Sequence, residues 1–94
     1  MVQRVALITG GMGGLGSAIS TKMADAGYKV AVTRSLGNKG AEQWLADMKA
    51  RGYDFHCCPV DVSDYNSCLQ AAAKIQAQVG PVDILINNAG ITRD

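Results

Sequence analysis

From Ala6 to Gly16 the chain reads Ala-Leu-Ile-Thr-Gly-Gly-Met-Gly-Gly-Leu-Gly, an apolar strand-like run that passes through five glycines into a helical pattern. A strand that turns into a helix over so few residues is the opening of a βαβ unit. Gly10 allows the sharp exit from the strand, Gly14 leaves no Cβ where a second group must approach, and Gly16 lets the helix close on the strand. The first N–H groups of that helix have no partner within it, and together with the helix dipole they attract negative charge. The segment Gly10, Met12, Gly13, Gly14, Leu15 and Gly16 therefore reads as a cradle for a diphosphate.

The rest of the chain repeats the same unit. Val5 to Thr9, Val30 to Thr33, Phe55 to Val60 and Val82 to Ile86 are strand candidates, nearly continuous in apolar residues rather than alternating. That pattern belongs to parallel strands covered on both faces. Three helical patterns lie between them. The first runs from about Gly14 to Ala26 with Leu15, Ile19 and Met23 inward, and Gly27 stops it. The second runs from about Lys39 to Arg51 with Ala41, Trp44, Leu45 and Met48 as its stripe, Trp44 serving the core, and Gly52 ends it. The third is expected to be capped by Ser63, to bury Cys68, Ala72, Ile75 and Val79, and to end at Gly80-Pro81. Connections this short imply right-handed crossovers. The fold class expected is α/β, a Rossmann-type parallel sheet of strand order 3-2-1-4 forming part of a doubly wound, three-layer fold.

Competing phosphate sites fail on particular residues. Gly11 and Gly16 share the glycine spacing of a P-loop, but Ser17-Ala18 stands where Lys-Ser or Lys-Thr must follow. A methyltransferase also has a glycine turn after its first strand, yet it needs an acidic residue at the end of the second. At that end, about twenty residues past the turn, an NAD enzyme places Asp or Glu on the ribose 2′-hydroxyl. This chain has Thr33-Arg34-Ser35 instead. The Arg34 guanidinium can pair with a 2′-phosphate in forked geometry, Ser35 can donate to it, and Lys39 adds charge. The cofactor expected is thus NADPH/NADP.

Composition narrows the partners. A net charge of +1 provides no basic field for nucleic acid or an anionic membrane. Cys57, Cys58 and Cys68 form no C-x-x-C pair, and His56 is the one histidine, so no zinc set or disulfide framework is expected and the thiols read as reduced. The amino end runs directly into a strand pattern without a signal-like apolar segment, which points to the cytoplasm.

Three motifs in register, Thr9-Gly10-x-x-x-Gly14-x-Gly16, Asp61-Val62 and Asn87-Asn88-Ala89-Gly90, resemble the short-chain dehydrogenase/reductase family over the whole chain. The wording of Gly10-Gly11-Met12-Gly13-Gly14, Glu42-x-Trp44-Leu45 and the stretch from Asn87 to Asp94 is similar to the branch that reduces 3-oxoacyl thioesters, with acetoacetyl-CoA the substrate expected and polyhydroxyalkanoate synthesis the setting. The resemblance implies that Asp61 accepts from the adenine amino group while Val62 packs on the ring. It implies that Asn88, Ala89 and Gly90 line the adenosine ribose, that Ile91 lies near the nicotinamide, and that Asn87 ties strands together. Asp94 would touch substrate. The family usually assembles as tetramers.

The same resemblance implies a catalytic serine, a Tyr-x-x-x-Lys pair and a helix-borne asparagine, in a domain of roughly two hundred and fifty residues. None of these is in the chain: Tyr28, Tyr53 and Tyr65 are followed four residues on by Val32, Cys57 and Leu69. Residues 1–94 are expected to be the dinucleotide-binding portion of one such domain, continuing past its C-terminal end. Two alternatives stay open: a substrate carried by acyl carrier protein instead of CoA, and a non-catalytic nucleotide-binding module with its fourth strand left as an apolar edge.

Overall fold

A computed structural model describes residues 4–10, 12–35, 40–61 and 64–86. Seven elements alternate along the chain: β1 (Val5–Ile8), α1 (Gly14–Asp25), β2 (Lys29–Arg34), α2 (Ala41–Ala50), β3 (His56–Pro59), α3 (Tyr65–Gln78) and β4 (Val82–Ile86). All strand pairs are parallel and the order is β3-β2-β1-β4, as the apolar runs indicate. Gly27 and Gly52 follow α1 and α2 with φ of 99° and 95°, the left-handed conformation that ends a helix.

Alternation along each strand sorts the side chains into two layers. On one face Ile8, Val30 and Val32 meet Met48 and Phe55, with Ile19 and Met23 of α1 and Trp44 and Leu45 of α2 packed around them. On the other, Ala31, Cys58 and Val60 meet Ala71 and Ile75 of α3. Full burial of a side chain such as Ile8 or Val32 contributes about 1.5–3 kcal/mol. Trp44 stacks on Phe55 at 5.3 Å between centroids, so its indole belongs to the core as expected.

Three sequence expectations are corrected here. Leu15 is 54% exposed rather than inward; Gly16 and Ser20 are the buried residues of α1, because small side chains let the helix lie close to the sheet. In α3 the inward residue is Ala71, not Ala72, which is exposed. Stripes through Ala71 or Ala72 both fit the helical period, and packing against β3 selects the one of Cys68, Ala71, Ile75 and Val79. The cap of α3 is Asp64, whose carboxylate accepts from the Asn66 and Ser67 amides at 3.0 and 3.4 Å. An anionic acceptor at that end also meets the helix dipole, an advantage a hydroxyl lacks.

β4 forms one edge of the sheet and carries its apolar residues openly, with Leu85 63% exposed. Asp83 on this strand accepts a hydrogen bond from the Val5 amide at 2.9 Å, beside the irregularity in the β1–β4 register between Val5 and Ala6. Among the described residues no helix is long and apolar enough to cross a membrane.

Candidate functional site

The carboxyl ends of all four strands meet at one edge of the sheet, where α/β folds bind ligands. The glycine turn is held at this edge by its neighbours. The Thr9 amide donates to the Ile86 carbonyl at 3.0 Å, joining the turn to β4. Gly10 has φ of 63°, the conformation that makes glycine necessary at the strand exit. Its amide donates to the Thr33 hydroxyl at 3.2 Å, joining the turn to β2.

At the start of α1 the N-cap residue is Gly13, with no side-chain cap, and the first turn contains no acidic residue. The helix dipole therefore meets no anion from the first turn itself. Gly13 and Gly14 are exposed, and a Cβ built on either meets no atom within 4 Å. Internal packing does not require glycine at these two positions. Room beside a helix N-terminus is what a diphosphate needs, and among the described residues no atom occupies the space a Cβ would take at Gly13 or Gly14.

Ser17 organises the turn from within the helix. Its amide donates to the Gly13 carbonyl at 2.6 Å, and its hydroxyl donates to the Met12 carbonyl at 3.1 Å. The same hydroxyl accepts from the Trp44 indole N–H at 2.8 Å. The Met12 side chain packs against the core layer of α1 and α2, so what Met12 presents to the turn is backbone. Leu15 projects from the first turn.

Arg34 ends β2 at the same edge and is half-buried. One guanidinium nitrogen donates to the Ser35 carbonyl at 3.3 Å, and the guanidinium charge lies near the Cys57 thiol. The Arg34 carbonyl accepts from the Val60 amide at 2.9 Å, which carries β3 on to Asp61. Burial pushes the Cys57 thiol above its ordinary value, and the neighbouring Arg34 charge opposes that shift. Cys57, Cys58 and Cys68 are all free thiols.

The Asp61 backbone is fixed on three sides. Its amide donates to the Ser67 hydroxyl at 3.0 Å, and its carbonyl accepts from the Asp64 amide at 3.0 Å and from the Cys68 thiol at 3.8 Å. The structure therefore brings Gly10, Met12 to Gly16, Arg34, Ser35 and Asp61 to the carboxyl edge of one sheet. Lys39, Val62, Asn88, Ala89, Gly90, Ile91 and Asp94 lie outside the described residues, as does Ser63. Tyr53 donates to Asp25 at the end of α1, away from this edge, which excludes it from the site. Thr33, Ser17 and Trp44 were not legible as site-builders; their contacts join residues 23 and 27 positions apart, and no local motif encodes such pairs.

The sequence pattern of the family described as short chain dehydrogenase matches residues 4–94. Nodulation protein G of Azospirillum brasilense is 50% identical over 94 residues, which is 100% of this chain and 38% of that protein. The acetoacetyl-CoA reductase of Cupriavidus necator is 46% identical over the same extent, again 38% of its length. Among solved structures, actinorhodin polyketide ketoreductase with NADPH superposes with a TM-score of 0.83 at 29% identity, covering 92% of this chain and 33% of that one. The chain thus spans 38% of the length of the two curated relatives.

Proposed function

Because this chain belongs to the short chain dehydrogenase family, we propose that it is the cofactor-binding portion of an NADPH-dependent reductase of a 3-oxoacyl thioester, with acetoacetyl-CoA as substrate. The observation that carries this reading is the pairing at one sheet edge of an open, glycine-lined helix N-terminus with Arg34 at the end of β2. The likeness to an acetoacetyl-CoA reductase over the full extent of the chain supports the choice of substrate.

The residues present fit the dinucleotide. The Gly13 and Gly14 amides hold the diphosphate, and the bare Cα atoms let it approach. Arg34 grips the 2′-phosphate, assisted by Ser35 and Lys39, and a planar guanidinium suits that group better than a point charge. Asp61 accepts from the adenine with Val62 against the ring. Asn88, Ala89 and Gly90 line the ribose, Ile91 lies near the nicotinamide, and Asp94 meets the substrate. When bound, the nicotinamide supplies the hydride, and the protein's task is placement and electrostatics.

In this reading the proton donor and carbonyl-orienting groups, a tyrosine with its lysine and a serine, follow Asp94 in the enzyme. The enzyme works in the cytoplasm as a homotetramer. The test is thermal shift with NADPH against NADH, followed by NADPH oxidation assayed with acetoacetyl-CoA and with acetoacetyl acyl carrier protein. A ligand at a hundred times its Kd adds about 2.7 kcal/mol of stability, so NADPH is expected to raise the midpoint more than equal NADH. Equal shifts would remove the 2′-phosphate assignment. Turnover with the carrier-protein substrate alone would replace CoA in the reading.

A further inference from the structure

Two carbonyls of the glycine turn are tied down by one residue. Ser17 holds the Gly13 carbonyl with its amide and the Met12 carbonyl with its hydroxyl. In a planar trans peptide the C=O and the following N–H point in opposite directions. Drawing the Met12 and Gly13 carbonyls toward Ser17, inside the helix, therefore aims the Gly13 and Gly14 N–H groups outward. These amides belong to the two residues at which an added Cβ would meet no atom within 4 Å.

The Ser17 hydroxyl has one proton and can rotate. If the proton pointed elsewhere, the Met12 carbonyl would be released and the Gly13 amide with it. Trp44 prevents that. Its indole N–H can only donate, and at 2.8 Å it occupies the acceptor side of the Ser17 oxygen, leaving the hydroxyl proton for the Met12 carbonyl. The indole is itself immobilised by stacking on Phe55 at 5.3 Å and 21°. One stacked ring pair and two hydrogen bonds thus connect the core through α2 and α1 to the turn.

We propose that Trp44 is a positioning residue for the dinucleotide, acting through the Ser17 hydroxyl to fix the outward direction of the Gly13 amide. The inference rests on the cofactor reading above. It gives Trp44 a role beyond packing, and it separates two jobs at the site: Arg34 distinguishes NADPH from NADH, whereas Trp44 and Ser17 serve the diphosphate that both share.

The test is a double-mutant cycle in the intact enzyme, with Kd for NADPH and NADH measured by calorimetry and thermal midpoints recorded alongside. Trp44→Phe keeps an aromatic ring against Phe55 and removes the N–H. It is expected to raise Kd about fivefold, and by the same factor for both dinucleotides, as loss of one neutral hydrogen bond would. Ser17→Ala should weaken both cofactors at least as much, and the double variant should be no weaker than Ser17→Ala alone. Ser17→Thr, which keeps a hydroxyl, should bind like the parent. Unchanged Kd in Trp44→Phe, or fully additive losses in the double variant, would overturn the inference while leaving the cofactor assignment standing. A parent enzyme that bound neither dinucleotide would overturn both.

Discussion

The Gly10 amide donates to the Thr33 hydroxyl at 3.2 Å, so the turn that leaves β1 is fastened to the strand that ends in Arg34. Thr33 is 5% exposed, and its hydroxyl is one of the few polar groups inside the sheet edge. This contact sets the spacing between the two parts of the proposed site, the diphosphate cradle and the 2′-phosphate clamp. Thr33→Val preserves shape and β-propensity but loses the bond. The expected cost is about 1 kcal/mol of stability, read as a lower denaturant midpoint at unchanged slope. NADPH affinity should fall with it.

Arg34 lies at the carboxyl end of β2 against the Cys57 thiol and the Ser35 carbonyl. Neither neighbour is a carboxylate, so neither competes with a phosphate for the guanidinium. Arg34→Ala should weaken NADPH by about 1.5–3 kcal/mol, the worth of a hydrogen bond to a charged group. NADH, which lacks the 2′-phosphate, should be nearly unaffected. Paired titrations of both cofactors against parent and variant check this, and parallel losses would remove Arg34 from the role.

Gly14 separates folding from binding. A Cβ there touches nothing in the protein, and alanine is a better helix former than glycine by about 1 kcal/mol. Gly14→Ala should therefore leave the thermal midpoint unchanged or raised. The added methyl stands in the space proposed for the diphosphate, and affinity for NADPH and NADH should drop tenfold or more. A variant that lost stability and kept its affinity would show that the glycine serves the fold.

The architecture was readable because continuous apolar runs and glycine stops are local signals. β1, β3 and β4 lie within the runs that announced them and β2 exceeds its run by one residue at each end, and Arg34 stands where the spacing from the glycine turn placed it. Helix rotation was harder. Leu15 and Ala72 are at least as apolar as the residues that were buried in their stead, and only the closeness of helix to sheet selects Gly16, Ser20 and Ala71. The bonds that build the turn were beyond reach for another reason. Thr33 to Gly10 and Trp44 to Ser17 join residues brought together by tertiary packing alone.

The cap expected for α3 was Ser63, yet the adjacent Asp64 is a residue type equally suited to that position. The structure selects Asp64, with extended φ and ψ of −111° and 112° and two accepted amide bonds. Asp64→Ala should cost about 1 kcal/mol. Because α3 packs on β3 and begins just after Asp61, amide exchange in Asn66 and Ser67 should accelerate first. Hydrogen-exchange measurements on parent and variant would register it, and unchanged protection would shift the capping role elsewhere.

Tyr53 and Asp25 tie the loop before β3 to the end of α1, the tyrosine hydroxyl donating to the carboxylate at 3.0 Å. That bond to Asp25 raises the Tyr53 pKa above its ordinary value, with smaller contributions from burial and the Asp25 charge, while Arg51 acts in the opposite sense. A group whose pKa is higher in the folded state contributes stability that is complete below the unfolded value, about 10 for tyrosine. The contribution disappears as pH rises through the folded value, where tyrosinate would face the Asp25 carboxylate. The pH dependence should therefore be flat from this pair at neutral pH and decline above about 10. Tyr53→Phe, which cannot ionise, should lose the bond at neutral pH and show a shallower alkaline decline. Denaturant midpoints of the two proteins between neutral and alkaline pH provide the comparison. Curves that stayed parallel through that window would place the alkaline transition in another group.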